Sequence, residues 1–144
     1  MHLKNIKGTP SVSLHIRRGD YLSDLKVSKV HGMCDIEYYQ KAISYLSSRI
    51  QDPVVYVFSD DIEWCKKNLG FLKNKVFIDN TKTAIEDLEL MRNCDHNIIA
   101  NSTFSWWGAW LNENDDKIVV APRKWFFSER MQHLTPVPTE WMKI

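Results

Sequence analysis

Four ionisable residues, His15, Arg17, Arg18 and Asp20, stand close together near the beginning of the chain. They begin inside a stretch, residues 11–16, in which apolar and polar residues alternate as in a β-strand. Side chains two apart in a strand share a face, so we expect His15 and Arg17 to point one way and Arg18 the other. A glycine follows, so the charged group lies where a strand ends and a loop begins.

This position and these residue types suit an anion. In an open α/β sheet ligands bind at the carboxyl ends of strands. A guanidinium group presents a planar fork of donors and keeps its charge, which fits a phosphate. The alternative is a structural network in which Arg17 and Arg18 pair with Asp20 and a neighbouring carboxylate. The strand position by itself leaves both hypotheses open.

Composition bounds the class of protein. With 144 residues, 44% of them hydrophobic and 26% charged, the chain fits one globular domain with a core of its own. The net charge of +1 argues against a nucleic-acid partner, so any phosphate recognition must be local. No apolar run approaches the roughly 20 residues of a membrane span, and the first residues lack a signal-peptide core.

The cysteines indicate the redox setting. Cys34, Cys65 and Cys94 are odd in number and have no C-x-x-C spacing. They therefore predict neither a disulfide framework nor a zinc site. We expect a reducing, cytoplasmic location.

The rest of the chain alternates strands and helices. Short runs rich in β-branched and aromatic residues predict strands at 54–58, 76–78, 97–100 and 118–121. Helical periodicity and capping residues predict helices over 35–50, 61–69, 83–94 and 102–111. Such alternation implies right-handed crossovers and an α/β fold with a doubly wound parallel sheet of about five strands. Residues 19–34 and the aromatic tail have no clear period, although Leu22, Leu25, Val27 and Val30 suit a short helical turn.

Three further features lie at predicted strand ends or helix starts. Asp60 and Asp61 follow the second strand, where we expect them to cap a helix; a metal or phospho-acceptor site is the alternative. Asp87 lies beside an apolar helical stripe, where it meets a ligand or faces water. Asn101 opens a helix whose free N–H groups would share one crevice with the arginines. Gly108 predicts close packing of that helix on the sheet, with most of its tryptophan rings in the core.

Two stretches carry a family resemblance. Residues 15–21, His-Ile-Arg-Arg-Gly-Asp-Tyr, resemble the His-x-Arg-Arg-x-Asp-Tyr signature of the α-1,2-fucosyltransferases. Residues 101–110, Asn-Ser-Thr-Phe-Ser-Trp-Trp-Gly-Ala-Trp, resemble the second signature of the same family. The resemblance covers most of the chain and implies a Rossmann-like donor domain over residues 1–144. This would be one half of a two-domain GT-B-type glycosyltransferase, without the amino-terminal, acceptor-side domain.

The resemblance implies a reaction and its partners. The donor would be GDP-β-L-fucose, and fucose would pass to the 2-hydroxyl of a terminal galactose with inversion, giving an α-1,2 linkage. The partners would be this nucleotide sugar and a galactose-containing glycan, with no metal or other cofactor. The resemblance is also compatible with peripheral membrane association of a full-length enzyme. The isolated domain would lack transfer activity, since half of the cleft would be absent.

The resemblance also assigns residues. Arg17 would bind the β-phosphate and stabilise its developing charge, helped by His15. Asp87 would accept the two donors of the guanine edge. Asp20, or a carboxylate of the absent amino-terminal half, would be the base, whereas Arg18 would be structural and pair with Asp20. The helix start would complete the phosphate site through Asn101, Ser102, Thr103, Phe104 and Ser105.

A second hypothesis comes from a different class. The chain would be a noncatalytic nucleotide- or phosphate-binding module, such as a receiver-like signalling domain with Asp60 or Asp61 as acceptor. That hypothesis accounts well for the chain length. The ligand discriminates the two hypotheses, because the first requires GDP or GDP-fucose and the second requires a phosphoryl donor.

Overall fold

The computed structural model describes residues 2–19 and 32–144. The strands in these ranges are β1 (Ser11–Ile16), β2 (Val54–Ser59), β3 (Lys75–Phe77), β4 (His96–Ile98), β5 (Val119–Ala121) and β6 (Met142–Lys143). The helices in the same ranges are α1 (His2–Gly8), α2 (Ile36–Ser47), α3 (Ile62–Asn68), α4 (Ala84–Asn93) and α5 (Thr103–Trp110). Asp20 and the turn predicted from Leu22, Leu25, Val27 and Val30 lie outside the described residues.

The strands form one parallel sheet in the order β3-β2-β1-β4-β5-β6. The chain runs outward from β1 to β3 and then returns to the other side of β1 with β4. The order of the strands therefore reverses next to β1, and the carboxyl edge at such a point is where α/β folds bind ligands. The predicted parallel α/β sheet is confirmed. The described part of the chain adds a sixth strand, β6, and the helix α1, neither of which was predicted.

The central strand β1 is buried along its whole length because the sheet is covered on both faces. Leu14 packs into the core cluster that includes residues of α2. On the other face, the Ser13 hydroxyl accepts a hydrogen bond of 2.7 Å from the Asn97 amide. His15 follows on that same face, and its ring centroid is 5.5 Å from that of Phe104 in α5. The face of His15 is therefore the face on which α4 and α5 pack.

Side-chain caps fix three helix starts, as the sequence predicts. Oxygens of Asp35, Asp61 and Thr83 accept the backbone N–H three residues further on, at 2.8, 3.2 and 3.2 Å. Each bond satisfies a backbone donor that the helix itself leaves unpaired. The cap at Thr83 sets where α4 begins, and hence where Asp87 in its first turn lies.

The tryptophan-rich helix α5 departs from the prediction. Trp107 and Trp110 are each 50% exposed, so only Trp106 of the three rings packs against a core cluster. A Cβ at Gly108 would lie 3.0 Å from Met91 Cβ, and Met91 belongs to α4. Gly108 therefore permits close contact of α5 with the neighbouring helix rather than with the sheet. This contact leaves two tryptophans directed away from the core.

Part of the aromatic tail belongs to the core, although the tail shows no sequence period. Trp125 and Trp141 are buried in a cluster with Val137 and Ala121. The tail then ends as β6, which pairs with β5. Irregular segments pack through individual side chains, so no 2- or 3.6-residue period marks them in the sequence.

Two of the three cysteines are buried and Cys34 is half-buried. Cys34, Cys65 and Cys94 are free thiols, as predicted. Burial raises the pKa of Cys34 to about 12 and that of Cys65 to about 11. No helix in residues 2–19 or 32–144 has the length and apolar character needed to cross a bilayer.

Candidate functional site

A cavity of about 230 Å³ lies at the carboxyl edge of the sheet, where β1 and β2 end and α4 and α5 begin. Its walls are His15, Arg17, Phe58, Ser59, Asp60, Ala84, Asp87 and Phe104. Four of these residues, His15, Arg17, Asp87 and Phe104, were proposed from separate stretches of sequence. The fold therefore brings residues from three elements, up to 89 positions apart in the numbering, to one cavity.

The two adjacent arginines face different surroundings, as the strand alternation predicts. Arg17 lines the cavity, and its Nε lies 3.7 Å from Oδ2 of Asp60. The Arg18 guanidinium lies 3.9 Å above the ring centroid of Trp64, and its Nε is 3.5 Å from Oδ2 of Asp61. Arg18 is therefore held by α3, on the side of the sheet opposite the cavity.

His15 is a buried imidazole in the cavity wall. It is 4% exposed, and its Nδ1 has no hydrogen-bond partner among the described residues. Burial lowers the pKa of His15 to about 4; the Asp60 carboxylate raises this pKa and the Arg17 guanidinium lowers it. The ring is consequently neutral at pH 7, with one nitrogen as donor and the other as acceptor. A buried polar atom of this kind in a cavity wall is typical of a ligand site.

Asp87 is oriented by a neighbouring hydroxyl. Thr81 Oγ1 donates to Asp87 Oδ1 at 2.6 Å. Burial raises the pKa of Asp87, the Thr81 hydrogen bond lowers it, and the charge of Glu86 raises it. The carboxylate is thus held at the cavity by the first turn of α4, and a carboxylate with two oxygens can accept a pair of parallel donors.

The start of α5 contributes one residue to the cavity wall, Phe104. The Asn101 amide donates to the carbonyl oxygens of Gly32 and Trp125, at 3.3 and 3.1 Å, and so ties the helix start to two loops. The buried Ser105 hydroxyl donates to carbonyl oxygens within the same helix start. Phosphate contacts stay a prediction for Asn101, Ser102, Thr103 and Ser105.

Asp60 was not recognised from the sequence as a residue of this site. The expectation that both aspartates after β2 cap α3 is correct only for Asp61. Asp60 instead accepts the backbone N–H groups of Arg18 and Gly19, at 2.8 and 2.6 Å. The sequence does contain one indication of this role, which is the presence of two adjacent aspartates. A helix start needs one capping side chain, so the second carboxylate is left for another role.

Asp20, predicted as base and as partner of Arg18, lies outside the described residues, so both roles stay predictions. Among the described residues, the Asp61 carboxylate pairs with Arg18. Within residues 2–19 and 32–144 no three His, Cys, Asp or Glu side chains are grouped so that they could hold a metal ion.

Another cavity, of about 860 Å³, is larger but lies elsewhere. This cavity lies where β5 and β6 begin, at the amino ends of the strands, whereas His15 and Arg17 lie at the carboxyl ends. Its walls include Trp110, Lys117 and Trp141. It contains none of the residues proposed for chemistry. Residue chemistry therefore selects the smaller cavity as the candidate site.

The fold and the cavity together define a Rossmann-like α/β domain with a cavity at the carboxyl edge of its sheet, lined by His15, Arg17, Asp60 and Asp87. Comparison with known proteins then identifies the family. The chain belongs to glycosyl transferase family 11, whose family model matches residues 2–144. The resemblance to the α-1,2-fucosyltransferases is thereby confirmed at the level of the family, and the receiver-like hypothesis is not supported.

Individual relatives agree with this assignment. An alpha-1,2-colitosyltransferase of Escherichia coli is 47% identical over 146 residues, which cover 96% of this chain and 49% of the relative. The E. coli O-antigen biosynthesis glycosyltransferase WbnK is 46% identical over 87% of this chain and 42% of its own length. A galactoside alpha-(1,2)-fucosyltransferase 1 of Sus scrofa is 34% identical over 72% of this chain and 29% of its own length. The chain thus spans about half, or less, of the length of these relatives.

Proposed function

We propose that this chain is the donor-binding part of a glycosyltransferase that uses GDP-β-L-fucose. In the proposed reaction L-fucose passes to the 2-hydroxyl of a terminal galactose in a glycan, with inversion to an α-1,2 linkage. One observation carries the proposal: Arg17, His15 and Asp87 meet in a single cavity at the carboxyl edge of the sheet. Family membership and the names of the relatives support it.

Arg17 has the central role in the proposed chemistry. Loss of GDP leaves an oxocarbenium-like sugar and builds negative charge on the β-phosphate. A donor aimed at that charge lowers the barrier by about 3 kcal/mol, by analogy with one oxyanion-hole donor. A guanidinium suits this task because its planar fork binds two phosphate oxygens and keeps its charge, whereas lysine offers a single ammonium. In the proposed reaction this charge stabilisation requires no metal.

His15 and Asp87 would supply recognition rather than charge neutralisation. His15 is neutral at pH 7, so it adds a hydrogen bond to the phosphate and no net charge. Asp87 would accept the N1–H and the 2-amino group of guanine, which uracil and adenine do not offer in that arrangement. Thr81 holds the carboxylate by donating to Oδ1, which restricts its rotation.

The size of the cavity limits what it can hold. At about 230 Å³ it is smaller than the roughly 300–1,000 Å³ of typical ligand pockets. It therefore accommodates a part of the nucleotide sugar, and the remainder of the donor and the acceptor must lie beyond it. The acceptor hydroxyl also needs a base, for which Asp20 is the proposed residue.

The identity of the sugar has one competing candidate. A relative at 47% identity is named as a colitosyltransferase, and colitose is fucose without its 3-hydroxyl. A site that hydrogen-bonds this hydroxyl would favour fucose strongly, because the hydroxyl's partner would otherwise stay buried and unpaired. Calorimetric titration of the chain with GDP-fucose and with GDP-colitose discriminates the two donors. Tighter binding of GDP-colitose would contradict the fucosyl assignment.

Base recognition is tested with matched variants. We expect GDP to bind and UDP to bind at least about tenfold more weakly, because uracil lacks the donor pair of guanine. Asp87→Asn should abolish this preference. Asp79→Asn, which alters an exposed carboxylate paired with Lys66, should leave the preference unchanged. Equal binding of GDP and UDP by the unaltered chain would contradict the proposed donor.

A further inference from the structure

The Asp60 carboxylate closes the turn that follows β1. Oδ1 accepts the Arg18 N–H at 2.8 Å and Oδ2 accepts the Gly19 N–H at 2.6 Å. The Arg17 Nε lies 3.7 Å from the same Oδ2. One carboxylate from the end of β2 thus contacts three successive residues after β1, and two of these contacts are bonds to rigid backbone. Gly19 and Asp60 are 41 positions apart in the chain, and the adjacent parallel strands β1 and β2 bring them together.

Gly19 makes room for this carboxylate. A Cβ at position 19 would lie 2.7 Å from Asp60 Oδ2 and 3.5 Å from its Cγ. Any larger residue would force Asp60 Oδ2 to shift from its position in the turn. The glycine and the aspartate therefore fit each other as a pair.

We propose that Asp60 is a positioning residue that holds the Arg17 guanidinium and the following turn in the geometry that receives the donor phosphate. This inference rests on the proposed function. A guanidinium binds a phosphate well only when its plane and distance are set closely, and a long side chain does not set them alone. Asp60 supplies the restraint through charge attraction to Arg17 and through bonds to the two residues that follow it.

Proton transfer is a less suitable role for Asp60. Both of its oxygens already accept backbone N–H groups, and the guanidinium lies on the side of Oδ2. A base must direct a carboxylate oxygen at the acceptor hydroxyl. The bonds observed here direct both oxygens at the protein instead.

The first test compares two neighbouring aspartates. In Asp60→Asn an amide NH2 group replaces one of the two carboxylate oxygens. This group is a donor and cannot accept a backbone N–H, so the turn loses a hydrogen bond. Arg17 also loses a charge partner. We expect the affinity for GDP to fall about tenfold or more, the scale of lost hydrogen bonds to charged groups. Asp61→Asn is the matched control, because asparagine also caps helices and Asp61 does not line the cavity. GDP affinity within a factor of about two of the unaltered chain in Asp60→Asn would overturn the proposal.

A double-mutant cycle with Arg17→Lys separates positioning from a general structural role. If Asp60 acts in part through Arg17, Asp60→Asn should weaken GDP binding by a smaller factor in the Arg17→Lys background than in the unaltered chain. Losses that multiply would show that Asp60 acts independently of Arg17 and would contradict the inference.

A second variant changes the glycine that makes room for the Asp60 carboxylate. Gly19→Ala should reproduce the loss seen in Asp60→Asn, because the new methyl group displaces Oδ2. Gly70→Ala is the control, since a Cβ at position 70 meets nothing within 4 Å. Unchanged GDP affinity in Gly19→Ala would count against the proposed geometry.

A readout without ligand distinguishes this inference from the proposed function. In the ¹H–¹⁵N spectrum of the free chain, the Arg17 Nε–H and Gly19 amide signals should move in Asp60→Asn and stay in place in Asp61→Asn. Unchanged signals in Asp60→Asn would overturn the positioning role even if GDP binds. Absence of GDP binding by the unaltered chain would instead overturn the proposed function.

Discussion

Arg17 and Arg18 show how strongly position decides the role of one residue type. They are adjacent and carry the same charge, yet Arg17 lines the cavity and Arg18 stacks on Trp64. Charge alone does not distinguish them. Their difference follows from the alternation of β1, which continues past the end of the strand and sends successive side chains to opposite faces.

Lysine replacements test this difference. Arg17→Lys should weaken GDP binding by about 1.5–3 kcal/mol, because a bidentate bond to a charged group is lost while the fold is kept. Arg18→Lys should leave GDP affinity nearly unchanged and lower the melting temperature. The Arg18→Lys variant loses the cation–π contact between the guanidinium and the Trp64 ring, which contributes about 0.5–2 kcal/mol to stability at a partly exposed site. Calorimetry and thermal unfolding of both variants supply the measurements.

Equal and small affinity losses in the two variants would indicate a diffuse basic patch rather than one oriented guanidinium. Reversed effects would show that the register of β1 was misread. A further lysine variant, Arg130→Lys, changes an arginine that does not line the cavity and serves as the control.

Burial of His15 should make stability depend on pH. Its folded-state pKa is about 4 and its ordinary value is 6.5, so the unfolded chain binds more protons between these two values. The contribution to stability is therefore complete above pH 6.5 and is lost as the pH falls towards 4. The shift corresponds to roughly 3 kcal/mol. Urea unfolding between pH 7 and pH 4 should show a steeper loss of stability in the unaltered chain than in His15→Asn.

His133→Asn, which removes a histidine from an exposed position, is the matched control and should keep the slope. His96 contributes in the same direction, because burial lowers its pKa as well. A slope that persists in full after His15 is replaced would contradict the assignment.

At the scale of elements, a set of buried amides joins β1, β4 and the end of α5. Asn97 donates to Ser13 Oγ at 2.7 Å and to the Met91 carbonyl oxygen at 2.9 Å. Asn112 donates to Asn97 Oδ1 at 2.8 Å and to the Cys94 carbonyl oxygen at the same distance. Buried polar groups that satisfy one another in this way specify one arrangement of elements, because each loses a partner if any element shifts.

The contact between α4 and α5 is set by one glycine. In Gly108→Ala the new Cβ would lie 3.0 Å from Met91 Cβ and 3.1 Å from its Sδ. Overpacking costs about 1–3 kcal/mol, which outweighs the gain of up to about 1 kcal/mol in helix propensity. We expect a net loss of roughly 1 kcal/mol in the free energy of unfolding, measured by urea denaturation.

Gly70→Ala tests the same substitution without crowding, since no atom lies within 4 Å of the added Cβ. A stabilised Gly108→Ala variant would show that α4 and α5 separate easily. That outcome would also weaken the argument that α4 holds Asp87 rigidly at the cavity.

At the scale of the whole molecule, the chain spans about half the length of two E. coli relatives. The cavity is the proposed site of a nucleoside diphosphate, and the chemistry of transfer requires an acceptor and a base in addition. We therefore expect binding and transfer to be separable in this chain.

The corresponding experiment measures both properties. The chain alone should bind GDP weakly, since part of the water-excluding cleft would be supplied by other residues of a full-length enzyme. It should show no measurable transfer of fucose to lactose. EDTA should leave GDP affinity unchanged, because the proposed site neutralises phosphate charge with Arg17. Robust turnover, or loss of GDP binding in EDTA, would contradict these expectations.

The sequence by itself determined the local features of this protein. Alternation fixed the faces of β1, so His15 and Arg17 were correctly expected on the side opposite Arg18. Caps fixed the starts of α2, α3 and α4, and apolar runs predicted five strands of the parallel sheet. These features depend on residues that are near one another in the chain, and local geometry is the same in every fold.

Only the tertiary structure decided the contacts between distant residues. Asp60 reached the turn after β1, Asp61 paired with Arg18 across the ends of two strands, and Gly108 met α4 instead of the sheet. The aromatic tail became core and ended as β6. Each outcome depends on which strands are neighbours and on which helices share a face. Strand order is set by the packing of the whole core, and no local period of the sequence encodes it.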